Sequence, residues 1–209
     1  MRLRVAMVAV ALALTGCGAA RTPGLGFGHA WHIGYNGYGH ISERGQGDSV
    51  RLTLEPARPK SATSTHAALV LSARRWRNFR AEIRVRTNRQ LRRPRPNPWE
   101  VGWVLWHYVN DQRFYYVILK PNGWELGKED PSYPGGQRFL VTRSRPVFPP
   151  GRWYTIRVQQ RGDVIHVTVD GRRLVRFADA RHPYLVGRIG LYVEDASATF
   201  LPGAIAAAP

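Results

Sequence analysis

The chain has 209 residues, 44% of them hydrophobic, which is enough for one domain with a sizeable core. Its formal net charge is +17, and every cationic residue except Lys60, Lys120 and Lys128 is arginine, so its surface attracts anionic lipids, acidic wall polymers or nucleic acid. No segment reads as a helix with a basic stripe, which argues against nucleic acid, and the single cysteine excludes an intramolecular disulfide.

The chain opens MRLRVAMVAVALALTGC. Arg2 and Arg4 form a positive region ahead of an apolar run, Val5 to Leu14, that is too short to span a bilayer. Leu14-Thr15-Gly16-Cys17 resembles the lipobox of bacterial lipoproteins. Residues 1–16 are therefore expected to be a lipoprotein signal peptide, with Cys17 as the lipidated residue. The expected location is extracytoplasmic, attached to the cell membrane through the lipid. Residues 17–27 are small and Gly-rich and read as a tether.

From residue 28 onward the pattern is all-β. Short runs rich in Val, Ile, Tyr, Phe and Trp are separated by Gly, Pro, Asn and Asp. Strands are expected in SVRLTLEP (49–56) and HAALVLSA (66–73). In NFRAEIRVRT (78–87), Phe79, Ala81, Ile83 and Val85 alternate with Arg80, Glu82, Arg84 and Arg86. TNRQLRRPRPNPWE (87–100) is too proline-rich to pair within a sheet and reads as a solvated basic loop. A hairpin is expected across 102–120, turning at Val109-Asn110-Asp111-Gln112. GWELGKE (123–129) and QRFLVT (137–142) follow. Residues 153–179 hold three strands turned at Gly162-Asp163 and Asp170-Gly171, the second a hairpin signal of the type I′ turn. GRIGLYVED (187–195) closes a single domain spanning 28–200, and 201–209 reads as a flexible tail.

The hairpin GWVLWHYVNDQRFYY (102–116) is crowded with aromatic side chains, as sugar-stacking sites and sandwich interiors both are. Parity separates its two faces. Val104, Trp106, Val117 and Leu119 share a face without charge and are assigned to the core. Trp103, His107, Tyr116 and Lys120 go to an open face, since His107 and Lys120 are costly to bury unpaired. The same rule sends Glu82, Arg84 and Arg86 outward. Strand 123–129 adds either Trp124 and Lys128 or Glu125. The expected ligand-binding set is Glu82, Arg84, Trp103, His107, Tyr116 and Lys120, an indole floor with charged groups suited to a polyol. The alternative is that this face carries a second small core beneath the Pro-rich loop.

The sequence F-x-AEIRVR, then GWVLWHYVNDQRFYYVILK, then IRVQQRGDVIHVTVDG, then GRIGLYVEDA resembles the concanavalin A-like lectin/glucanase superfamily. It is most similar to the laminin G-like and 3-keto-disaccharide hydrolase-type domains of bacterial exported proteins. The resemblance implies a jelly-roll sandwich of two antiparallel sheets with ligands on one concave face. It implies three functions: glycan binding at the cell envelope, a glycosidase, or a structural adaptor on anionic wall polymer. The E-x-D-x-(x)-E strand motif of glucanases has no match, which favours binding over hydrolysis. Glu82, Glu125 and His107 are the candidates for catalysis. Glu194 and Asp195 stand side by side as candidates for a structural calcium, although calcium takes six to eight oxygens. No cofactor and no nucleic acid are expected, and the domain is expected to act as a monomer.

Overall fold

The structure is a computed structural model that describes residues 30–45, 50–61 and 63–208. These residues form fourteen strands and no helix. In chain order the first seven are β1 (Trp31–Tyr35), β2 (His40–Arg44), β3 (Arg51–Glu55), β4 (Ala67–Trp76), β5 (Phe79–Gln90), β6 (Gly102–Asn110) and β7 (Arg113–Lys120). The others are β8 (Gly123–Glu129), β9 (Gln137–Arg143), β10 (Tyr154–Arg161), β11 (Val164–Val169), β12 (Arg172–Ala178), β13 (Gly187–Glu194) and β14 (Ala196–Ala207). They make two antiparallel sheets of seven strands. Sheet I runs β1-β4-β13-β6-β7-β8-β9, and sheet II runs β12-β11-β10-β5-β14-β3-β2. The all-β sandwich expected from the sequence is the architecture found. Cys17, the apolar run before it and the tether lie outside the described residues.

Alternation builds the main core. Phe79, Ala81, Ile83 and Val85 of sheet II face Val104, Trp106, Val117 and Leu119 of sheet I, and all are buried in one cluster. The Asp170-Gly171 turn has positive φ at both residues, 50° and 79°, which a type I′ hairpin requires. Trp106 is fully buried, stacks on its cross-strand partner Tyr115, and donates its indole N–H to Gln160 Oε1 at 2.7 Å.

Three features depart from the sequence reading. Strands β1 and β2 precede the first expected strand. Residues 201–207 are not a loose tail, because they continue β14 along β5, pairing Pro202 with Ile83 and Ala206 with Arg80. The Pro-rich loop is anchored at its base: Arg92 bonds both Glu100 and Asp195, two buried carboxylates.

One end of the sandwich is closed by a buried polar network. Lys128 of β8 is wholly buried. Its ammonium donates to Asp179 Oδ2 at 2.8 Å and to the His182 carbonyl at 2.9 Å, and it lies over the Tyr184 ring. Tyr115 donates to the same Asp179 oxygen at 2.6 Å and accepts from the Tyr184 amide. Removing one partner strands the other charge in the interior. Lys128→Ala should therefore cost about 3–5 kcal/mol. Trp106→Ala should cost a similar amount, about 3–5 kcal/mol, through its cavity. Glu82→Gln, which loosens an exposed ion pair with Arg157, should cost less than about 1 kcal/mol. Urea denaturation of the three variants checks this ranking.

Candidate functional site

Sheet I buries both of its faces. Opposite the main core, Leu69, Leu71, Trp103, Leu105, Phe114, Tyr116, Ile118 and Tyr192 form a second apolar cluster, with Val101 and Trp99 from the loop before β6. Trp103 donates its indole N–H to the Trp99 carbonyl at 2.8 Å and packs on Tyr116 and Tyr192. The centre of this outer face is thus packed rather than open. This corrects the expectation of Trp103 as an exposed groove floor.

What remains accessible lies toward β7, β8 and β9. On β8, Trp124, Leu126 and Lys128 face inward, so Glu125, Gly127 and Glu129 face outward. Tyr116 lies across Gly127. A Cβ there would sit 2.2 Å from the phenol ring, so only glycine admits this contact. The Tyr116 hydroxyl accepts from Gln137 Nε2 at 3.0 Å and donates to Glu125 Oε1 at 3.3 Å. Lys120 bonds the other oxygen of Glu125. Phe139, paired with Gly127 on β9, exposes about half its surface (53%). The patch exposes the Phe139 ring and leaves Gln137, Lys120 and Glu129 partly accessible, above the buried Tyr116 phenol and Glu125 carboxylate.

Glu129 is the chemically distinctive member. It is half-buried, and burial together with the negative charge of Glu194 raises its pKa to about 7. Glu194 lies on the same outer face of β13 and accepts from Tyr192 at 2.6 Å, and burial raises its pKa to about 6. Along the same face Tyr35 and Tyr108 both donate to Asp111 at the hairpin tip. A carboxyl that titrates near neutral pH can take or release a proton under physiological conditions.

The sequence-predicted residues divide into three places. Trp103, Tyr116, Lys120 and Glu125 share the outer face of sheet I. Glu82 and Arg84 do not join them: β5 belongs to sheet II, so these side chains leave the opposite side of the sandwich. Glu82 there bonds Arg157, and Arg84 lies over Trp153. Glu82 and Glu125 point outward from opposite sheets packed about 10 Å apart, so the two cannot work as a catalytic pair.

His107 is the third case. The β6–β7 pairing bulges between Trp106 and Asn110, and His107 takes φ of 47°. The bulge turns its ring inward against Phe79. Its Nδ1 and Nε2 lie 2.6 and 2.8 Å from the carbonyl oxygens of Tyr184 and Arg77, and burial lowers its pKa. Enclosed in this way, it is removed from the outer face and from proton transfer there.

Glu194 and Asp195 diverge. Asp195 turns to Arg92 and to the His66 amide, while Glu194 turns to Tyr192. Among the described residues, no three His, Cys, Asp or Glu side chains are grouped to hold a metal ion.

Sequence reasoning set Glu129 aside because its spacing does not match the glucanase motif, and it passed over Gln137 and Phe139. Glu129 carried a usable signal, since it shares the parity of Glu125 on one strand. The raised pKa gives a direct expectation. Below about pH 4.5 the protonated Glu129 is accommodated in folded and unfolded chains alike. As pH rises through about 7 the folded protein must expose or ionise a desolvated carboxyl, and the stability this group supplied is lost. Urea midpoints of the parent should therefore fall between about pH 5 and 7.5, and Glu129→Gln should flatten that slope.

No curated protein matches the sequence. Among solved structures, the carbohydrate binding module CBM66 from Bacillus subtilis superposes with a TM-score of 0.57 at 14% identity, over 82% of this chain and 91% of that one. The Bacteroides ovatus mixed-linkage glucan GH16 protein, in complex with a G4G4G3G product, gives 0.56 at 9% identity, over 86% and 95%. The exoplasmic/lumenal domain of VIP36, bound to Ca2+ and Man3GlcNAc, gives 0.54 at 11%, over 86% of each chain. At these identities they establish the fold, a concanavalin A-like jelly roll. A family model described as the 3-keto-alpha-glucoside-1,2-lyase-like domain matches residues 29–201, nearly the whole sandwich, and the chain belongs to that family.

Proposed function

We propose that the protein is an exported lipoprotein, acylated on Cys17, whose sandwich binds a carbohydrate on the outer face of sheet I at its β7–β9 end. One observation carries the binding site. The half-buried Glu129, with a pKa near 7, shares that face with the exposed Phe139 ring and the half-buried Gln137 and Lys120, which the buried Tyr116 and Glu125 hold in place by hydrogen bonds. A ring face covers the C–H side of a sugar, and carboxylate, amide and ammonium groups bond its hydroxyls. The family description and the sugar-binding neighbours of the same fold support this reading. The envelope location rests on the sequence around Cys17.

The position of Glu129 favours a second reading, in which the bound sugar is also cleaved. On a 3-keto-glucoside, the ketone makes the C2 proton acidic. Glu129 as base would take that proton. The C2–H electron pair would form the C1–C2 double bond, and the glycosidic oxygen would leave from C1 with its bonding pair. A base with a pKa near the working pH suits such a transfer.

Glycan-array binding followed by turnover assays on 3-keto-glucosides separates the readings. Phe139→Ala should weaken binding of any captured glycan at least tenfold while the fold is retained. Under the cleavage reading, Glu129→Gln should keep binding and lower turnover about 10²–10⁴-fold. Glycan binding unaltered by both substitutions would place the site elsewhere. For the anchor, Cys17→Ser should abolish incorporation of labelled fatty acid in a bacterial host, and equal labelling of variant and parent would remove the lipoprotein reading.

A further inference from the structure

The outer face of sheet II is a dense arginine field that the site on sheet I does not use. Alternation along β5, β10 and β12 sends Arg80, Arg84, Arg86, Arg157, Arg173 and Arg176 to this one face. All are exposed except the half-buried Arg86. Across the outer faces of β5, β10, β11 and β12, Glu82 is the one carboxylate among the described residues, and Arg157 bonds it. Arg80, Arg84, Arg173 and Arg176 make no ion pair among the described residues.

The registers show how these charges are spread. One row runs Arg176, His166, Gln159, Arg80 across four strands, and the next runs Arg173, Thr168, Arg157, Glu82. With strands about 4.8 Å apart, each row is about 14 Å wide. Arg84 and Arg86 extend the field along β5 and hold the half-buried Trp153 ring, their guanidinium carbons 5.5 and 5.0 Å from its centroid. The cations therefore cover an area instead of following a line. A linear polyanion would meet one row of them. A plane of anionic headgroups meets all of them, with Trp153 suited to the headgroup level.

We propose that the outer face of sheet II docks on an anionic lipid bilayer. The docking rests on this charge field alone. Its orientational consequence rests on the carbohydrate reading: with sheet II against the membrane, the β7–β9 face of sheet I points away from it, toward soluble or wall-borne glycan.

The test uses the full chain carrying Cys17→Ser, so that no acyl group contributes, and vesicles of phosphatidylcholine with or without about 30% phosphatidylglycerol. The readout is the ratio of partition coefficients, anionic over neutral. Each basic residue near an anionic surface contributes about a fivefold gain. The triple variant Arg80→Gln/Arg84→Gln/Arg176→Gln should therefore lower that ratio about a hundredfold. Arg95→Gln/Arg143→Gln/Arg181→Gln, which removes the same charge from exposed positions off this face, should lower it far less. Thermal melts confirm that both variants fold. Three results would overturn the proposal: a ratio near one for the parent, equal losses in the two variants, or tighter binding to soluble polygalacturonate than to the anionic vesicles. The last would assign the face to a linear acidic polymer instead.

Discussion

A fully buried ammonium organises this sandwich. Isolated, the Lys128 charge would be costly in the interior, but Asp179, two backbone carbonyls and the Tyr184 ring enclose it. Asp179 lies in the connection between β12 of sheet II and β13 of sheet I, so the bond pins the crossover that joins the sheets. The same connection gives the Tyr184 carbonyl to His107 and Gln160, and Gln160 in turn accepts from Trp106. Polar groups at this end of the core are thus satisfied as one connected set, which is the condition for burying them. The consequence reaches the other face of the sheet. With Lys128 held inward, strand parity turns Glu125 and Glu129 outward.

The two sheets differ in what their outer faces carry. Sheet I covers its outer face with a second apolar cluster and leaves polar chemistry at the β7–β9 end. Desolvation by that cluster is what raises Glu129 and Glu194, and a solvated strand would leave both at ordinary values. Among the described residues, sheet II carries no second apolar cluster. Its outer positions are mostly arginine and uncharged polar side chains, with Glu82 and Glu55 each paired to an arginine, so it faces solvent or a charged partner. The arginine field of β5, β10 and β12 is thereby placed on the side away from the proposed carbohydrate site.

Much of the fold was legible because alternation is a local property. The charge-free parity of Val104, Trp106, Val117 and Leu119 identified the core face of the β6–β7 hairpin, and the Asp170-Gly171 dipeptide marked the turn between β11 and β12. Alternation says which side of a strand is buried but not which sheet the strand joins, so Glu82 and Arg84 were grouped with residues across the sandwich. It also assumes an unbroken ladder. The bulge at His107 breaks that ladder and carries the ring inward. The end of β14 was missed because Ala, Gly and Pro have little strand propensity, and its pairing with β5 is set by tertiary contact. Glu129 shared the parity of Glu125, yet its character depends on Glu194 of a strand distant in sequence, which no local pattern records.

Sheet I presents a desolvated carboxyl, Glu129, on its outer face, held outward by the anchoring of Lys128. Following the side-chain carboxyl carbon of Glu129 by NMR from about pH 3 to pH 10 measures this directly. The account predicts a titration midpoint near 7. A midpoint near the ordinary carboxylate value of about 4.3 would show Glu129 to be solvated, and would contradict it.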